Sequence, residues 1–241
     1  LSVYTQVWVH KDGGIYTQEY SQGKKKANVR KIASTKKHGT IVTFEPDIEI
    51  FKEVKFDFPR IVHSLRQQAY LVKGLRINVI DARDYVGDEL QFNKDGSLDI
   101  SSDIFYLSDL NLQVTSQTFY FENGLTSLVK FNNQILKPIH KNIFYVEKKV
   151  EGVESVEIAL QYADDISARI LPFANNTYNA EHGTHVTGFK TALTRTLNTY
   201  AKNNNIGKNG DETFTGDDAL EGITVVISVK LREIQFEGQT K

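Results

Sequence analysis

The chain contains no cysteine and no methionine. The first absence excludes a disulfide framework, cysteine-ligated zinc and a thiol nucleophile. The second extends to position 1, where a translation product carries methionine, so Leu1 is expected to be a processed or a cut end. Proline and tryptophan are scarce, at 4 and 1. No apolar run approaches the ~20 residues of a membrane-spanning helix. No basic segment followed by an apolar one opens the chain, so neither a membrane span nor a retained signal peptide is expected. Neither charge sign is in excess: Lys+Arg is 29 and Asp+Glu is 30, for a net charge of -1. That argues against a uniformly basic nucleic-acid coat and against an acidic disordered tail. No P-loop or dinucleotide glycine fingerprint is present, no Ser/His/Asp triad can be argued, and no internal repeat is visible. What remains is 241 residues with 40% apolar and 24% charged content, enough for one or two domains with a real core.

The opening reads as β-structure. Val3, Thr5, Val7 and Val9 alternate with Tyr4, Gln6, Trp8 and His10, the period of a half-buried strand. Lys11-Asp12-Gly13-Gly14 supplies the positive-φ positions of a hairpin turn, and residues 15–20 return as its second strand. Residues 21–44 hold no acid but carry Lys24, Lys25, Lys26, Arg30, Lys31, Lys36 and Lys37. They read as a solvated loop skirting the sheet, or as a patch facing phosphate. A strand over 39–44 follows, ended by Pro46-Asp47. Residues 59–73 form the clearest helix of the first half, with Phe58, Val62, Leu65, Ala69 and Val72 on one face and Gly74 as its stop. A strand over 76–80 leads to an irregular stretch, 84–116, read as an insertion.

In the second half a short helix is expected over 124–132. A strand over 153–162 is expected to turn at Asp164-Asp165 into a partner strand over 166–173. A long helix spans 184–203 with Val186, Phe189, Leu193, Leu197 and Tyr200 as its apolar stripe; Lys190, Thr194, Asn198 and Lys202 form a polar one. Residues 223–231 make one of the cleanest strands. Strands and helices alternate without a regular βαβ cadence, so an α+β fold is favoured.

Few constellations carry chemistry on their own. Residues 183–210 hold Lys190, Arg195, Lys202 and Lys208 and no acid, whereas 211–221 hold Asp211, Glu212, Asp217, Asp218 and Glu221 and no base. This is an ordinary helix face followed by a capped acidic loop, or a basic helix surface turned towards DNA. His182 and His185 lack a third metal ligand at helical spacing, so structural roles are expected. Asp164 and Asp165 are explained by a solvated turn.

Three linked motifs carry a resemblance. The first is Phe173-Ala174-Asn175-Asn176 with Gly183-Thr184-His185 and residues 188–195, Gly-Phe-Lys-Thr-Ala-Leu-Thr-Arg. The second is Thr215-Gly216-Asp217-Asp218 with Glu221-Gly222 and the strand to Leu231. The third is residues 236–241, ending in Gln239-Thr240-Lys241. Together, with 120–124 and 138–145, they resemble the transducer domain of bacterial type II DNA topoisomerase ATPase subunits, the DNA gyrase B and topoisomerase IV B family. The first half resembles the later part of the same family's ATP-binding domain, of the Bergerat type shared with Hsp90, histidine kinases and MutL. Gly39-Thr40 and Pro46-Asp47 carry that match.

The resemblance implies an ATP-binding portion over 1–117, with 84–116 as a junction insertion, and a transducer over 118–241 with a ribosomal-protein-S5-domain-2-like fold. It implies an ATP-dependent topoisomerase subunit of the bacterial cytoplasm, with ATP and Mg as cofactors. Its partners would be double-stranded DNA, a second copy in an ATP-dependent gate, and a DNA-cleaving gyrase A-like subunit in an A2B2 assembly; no membrane is implied. Gly39 and Thr40 would serve the adenine end of ATP. Gln239 and Lys241 would meet its terminal phosphate, and Lys190 would face the DNA cavity. The family's catalytic Glu and most of its nucleotide and metal ligands would precede Leu1, so the chain alone is expected to be inactive. His182, Leu220 and Lys11 depart from the family's usual Gly, Arg and Arg; the last of these Arg residues binds coumarins. A non-catalytic ATP-switch or interaction module related to MutL and Hsp90 is the alternative.

Overall fold

A computed structural model describes residues 1–87, 112–206 and 213–235. Most of the expected insertion therefore lies outside the described residues, as do Lys208, Asp211, Glu212, Gln239 and Lys241. The chain divides into two compact units, Leu1–Asp57 and Phe58–Lys241.

The first unit is a five-stranded sheet of β1 (Ser2–Lys11), β2 (Gly14–Ser21), β3 (Lys24–Lys25), β4 (Arg30–Ser34) and β5 (Gly39–Pro46). The order is β3-β2-β1-β5, with β4 also beside β2. The β1–β2 hairpin closes as its sequence requires: Asp12 and Gly13 both have positive φ, 51° and 73°, the primed turn that matches strand twist. Trp8 lies opposite Thr17 on one side and Ile41 on the other, and with His10 and Thr17 it forms a buried row. After β5 the buried Asp47 shapes the turn, since its Oδ1 accepts the Glu49 amide at 2.9 Å and its carbonyl accepts Phe51 N–H at 2.9 Å.

The basic stretch is not a loop. It returns twice along the outer edge of β2 as β3 and β4, both antiparallel to it. Pairing there uses backbone groups alone. Every residue of β4 is exposed, so no apolar alternation was needed and none marks the strand.

The second unit begins with α1 (Phe58–Leu71), β6 (Arg76–Asp81), β7 (Thr115–Tyr120) and α2 (Leu125–Asn132). It continues with β8 (Phe144–Val150), β9 (Val153–Tyr162), β10 (Arg169–Ala174), β11 (Thr177–Tyr178), α3 (Thr184–Asn203), α4 (Gly216–Leu220) and β12 (Ile223–Lys230). β6 and β7 pair antiparallel, so the expected boundary at 117/118 falls inside β7. The main sheet has the order β11-β10-β12-β9-β8, with β10 and β12 parallel.

This order corrects the expected hairpin of β9 with β10: β12 lies between them. The reason is burial on both faces. All of β12 from Ile223 to Val229 is buried, so it takes the centre, where both neighbours and both layers can cover it. Val225 and Ile227 join Val186, Phe189 and Leu220 of α3 and α4 in one cluster. Val226 points the other way, into a cluster with Tyr70, Leu71, Leu125, Leu128 and Val129 of α1 and α2. The sheet is thus covered by helices on both sides, and α1 belongs to the second unit's core.

Two local details decide this arrangement. Gly222 turns α4 into β12 at φ 69°, and a Cβ there would sit 2.4 Å from the Ala163 carbonyl oxygen. Only glycine fits that approach. In α3 the stripe is as expected except at its end: Ala201 is buried and Tyr200 is 61% exposed. Successive i+4 steps from Phe189 through Leu193 and Leu197 reach 201 rather than 200.

Candidate functional site

The sequence-derived residues fall in both units. In the first, Gly39 opens β5 at φ 155° opposite His10, and Thr40 stands opposite Val9. Thr40 is exposed and shares its face of β5 with Val42 and Phe44, which are 56% and 59% exposed. The site is thus one hydroxyl on an open apolar strip. At the far end of that strip Phe44 and Phe56 meet edge to face, with centroids 6.4 Å apart. They line a recess of about 360 Å³ with Leu1, Pro46, Phe51 and Val54. Lys11, at the hairpin turn, lies 4.0 Å from Asp12.

Behind this strip His10 is buried at 5% exposure, with Nδ1 3.4 Å from Thr35 Oγ1. Burial, and then the nearby charge of Lys37, hold its pKa below the usual value.

In the second unit a cleft of about 890 Å³ opens where the parallel strands β10 and β12 end and α3 begins. The carboxyl ends of parallel strands are where open α/β layers commonly bind ligands. Tyr178, Asn179, His182, Gly183, His185 and Gln235 are among its lining residues. Beside it, after Ala174, comes an Asn-Asn turn, with Asn175 and Asn176 at φ 46° and 63°. Asn tolerates the left-handed region better than other side chains, so this dipeptide suits the turn that joins β10 to β11, a hairpin not anticipated from the sequence. The Asn175 side chain spans to the strand end: its amide donates to Leu231 O at 2.9 Å, and its Oδ1 accepts Leu231 N–H at 2.8 Å. Sequence reasoning missed this pair, which joins residues 56 apart.

Gly183 precedes α3 in an extended conformation and provides no side-chain cap. A Cβ at Gly183 would come 3.0 Å from the His185 ring. His185 is half-buried, and its Nε2 has no hydrogen-bond partner among the described residues. Burial, and next the charge of His182, lower its pKa. No group of three or more His, Cys, Asp or Glu capable of holding a metal occurs among the described residues.

Lys190 is half-buried on the flank of α3 rather than on its open face. Thr194 and Asn198 share that half-buried seam. Asn198 pins residue 214, donating to Phe214 O at 3.0 Å and accepting its N–H at 2.6 Å. The open face carries Thr191, Thr196 and Thr199, each bonded back to the carbonyl four residues earlier. Of the cations on α3, Arg195 and Lys202 are exposed. The acidic segment is capped as expected: Thr215 and Asp218 form a reciprocal capping box that starts α4. The Thr215 hydrogen bonds hold the Asp218 carboxyl below the ordinary range. Asp164 and Asp165 serve separate cations. Asp165 binds Arg169 at 2.6 Å, and Asp164 lies 4.0 Å from Lys137. The two carboxylates thus form separate ion pairs in the connection between β9 and β10 rather than one shared acid pair.

Known proteins share both units. A family model described as DNA gyrase B matches residues 124–241. The DNA gyrase B protein of Clostridium acetobutylicum is 39% identical over 241 residues, covering 100% of this chain and 33% of that protein. Its Thermotoga maritima counterpart is 39% identical over 249 residues, with 34% of its length covered. That of Bacillus mycoides is 36% identical over 242 residues, with 53% covered. The chain thus spans about a third to a half of these relatives. Among solved structures, the 43K ATPase domain of Thermus thermophilus gyrase B, in complex with an aminocoumarin, superposes with a TM-score of 0.78 at 31% identity. The match covers 99% of this chain and 57% of that one. Gyrase B of Myxococcus xanthus gives a TM-score of 0.73 at 21% identity, a likeness of fold that covers 100% of this chain and 61% of that one.

Proposed function

Because the chain belongs to the DNA gyrase B family, we propose that it is the part of an ATP-dependent type II topoisomerase subunit that couples nucleotide to DNA passage. The observation that carries this reading is the match along the whole chain to gyrase B proteins at 39% identity. The fold found for both units supports it. The alternative of a non-catalytic switch related to MutL and Hsp90 gains nothing from these comparisons.

Residues 1–117 take the role of the later ATP-binding portion and 118–241 that of the transducer. Gly39 and Thr40 serve the adenine end of ATP. Their setting suits an aromatic base: a free-standing hydroxyl gives one directional hydrogen bond, and the flanking valine strip gives apolar area. Gln239 and Lys241 take the terminal phosphate, where a lysine ammonium acts as a mobile point charge. A contact made only with the terminal phosphate supplies the differential affinity a switch needs. Bound ATP contributes the phosphoanhydride whose cleavage resets the switch. Magnesium is held mainly by groups other than those described, as is the base that activates water, so these 241 residues alone turn over no ATP.

Lys190 faces captured duplex, which the half-buried stem and free ammonium of a lysine on a helix flank allow. Further partners are a second copy in an ATP-dependent gate and a gyrase A-like subunit in an A2B2 assembly, in the bacterial cytoplasm. No helix among the described residues is long and apolar enough to cross a membrane.

The test is a full-length gyrase B carrying these residues, assayed with gyrase A for ATP-driven supercoiling. Lys241→Ala lowers ATP turnover sharply; unchanged turnover removes the phosphate role. Lys190→Ala lowers DNA-stimulated turnover more than basal turnover; equal losses remove the cavity role.

A further inference from the structure

One strongly charged feature is not used by the proposed function. The outer edge of the first unit's sheet, remote from β5, carries Lys24, Lys25, Lys26, Arg30 and Lys31, and Lys36 follows in the connection after β4; all are exposed. Residues 21–44 contain no acid. The nearest acidic side chain bound to the edge is Glu19, 3.6 Å from Arg30. Lys25 reaches only Asn28 at 3.3 Å, and Lys26 lies over the Tyr4 ring at 5.6 Å.

A charged edge can simply discourage a further strand from pairing. A lysine or two achieves that, and neighbouring acids would not weaken it. An acid-free run instead raises the local positive potential, at a cost in self-repulsion that a polyanion would relieve. The chain as a whole, at a net charge of -1, has no general excess of base that would account for it.

We propose that the β3–β4 edge binds the phosphate backbone of duplex DNA, at a surface separate from Lys190. The chemistry of the edge selects among polyanions. Its cations are mostly lysines, mobile point charges that follow phosphates without reading sequence. Residues 21–43 carry no Phe, Tyr or Trp, and the tyrosines beside them, Tyr16 and Tyr20 of β2 and Tyr4 under Lys26, are half-buried, which leaves little open ring face on which single-stranded bases stack. The edge is extended strand rather than an amphipathic helix, which disfavours a membrane surface. The choice of DNA rests on the proposed function; the presence of a polyanion surface does not.

The purified 241-residue chain, without nucleotide, is titrated into a labelled random-sequence duplex of about 30 base pairs, and anisotropy is followed across about 50–200 mM salt. The variant Lys24→Glu/Lys25→Glu/Lys31→Glu/Lys36→Glu should bind at least ~10-fold more weakly, and the slope of log K against log salt should fall by roughly 3 to 4. The matching four-fold Lys→Gln variant, with unchanged circular dichroism, should show an intermediate loss. Unchanged affinity in both variants overturns the proposal, as does an absence of duplex binding by the unaltered chain. Tighter binding to oligo-dT or to phosphatidylserine vesicles than to duplex also overturns it. A weakening seen only with Lys190→Ala places DNA on α3 instead. Failure of the ATP-turnover tests leaves this measurement unaffected, so the two readings fail separately.

Discussion

The two sheets of this chain are written in the same period-2 code but are finished differently. Among the described residues, Trp8 is the one large hydrophobic side chain of the first unit in the buried core, whereas 24 hydrophobic residues of the second unit are. The first sheet leaves Val42 and Phe44 more than half exposed. The second is covered on one side by α3 and α4 and on the other by α1 and α2. Alternation therefore reports that one face of a strand is apolar, and says nothing about whether a layer covers it. Apolar area left in water contributes none of the ~25 cal/mol per Å² that burial gives. The second unit should hence be the stable part of the chain.

The sharpest way to test that contrast is to damage the second sheet at its tightest point. Gly222→Val forces a side chain against the carbonyl oxygens of Ala163 and Asp165. It should cost about 4 kcal/mol or more, enough to abolish cooperative thermal unfolding of the second unit by calorimetry. Next comes Phe173→Ala at a position 1% exposed, expected to cost about 3–5 kcal/mol in urea unfolding. Breaking the Thr215 capping box with Thr215→Ala should cost about 1 kcal/mol. In the first unit Phe44→Ser should stay within about 0.5 kcal/mol. A loss comparable to that of Phe173→Ala would show that Phe44 is covered after all, and the contrast would collapse.

Acid should act on both units through one histidine each. The folded pKa values of His10 and His185 lie below the usual 6.5 because burial disfavours the charged ring. The unfolded chain then binds more protons, so stability is full above about pH 6.5 and falls as pH drops through that value towards the folded ones. His185→Gln should flatten that fall for the second unit's transition and leave the first unit's unchanged.

Legibility in the sequence followed the same divide between local and non-local causes. The bounds of α3, Thr184–Asn203, could be read because Gly183 and the asparagines after it are local stops. The hairpin at Asp12-Gly13 was equally local. The central place of β12 was not legible, because a fully apolar strand announces burial but not its neighbours. β4 was invisible for the opposite reason: exposed on both faces, it has no pattern. For the site, Gly39 and Thr40 lie at a strand start as expected, while Lys190 is half-buried on the helix flank and, further along that stripe, Asn198 is bonded to residue 214. The sequence spacing of sixteen residues could not reveal that reach.

The Asn175 clasp has a mechanical consequence. Leu231 is held by two side-chain bonds to Asn175, and the next carbonyl along, Asn176 O, accepts Gln68 Nε2 of α1 at 3.0 Å. The Asn175 backbone N–H also donates to Val229 O at 2.9 Å. Tension applied to the chain beyond β12 would therefore reach a two-residue turn that is itself tied, as well as to the sheet, to a helix 108 residues before it.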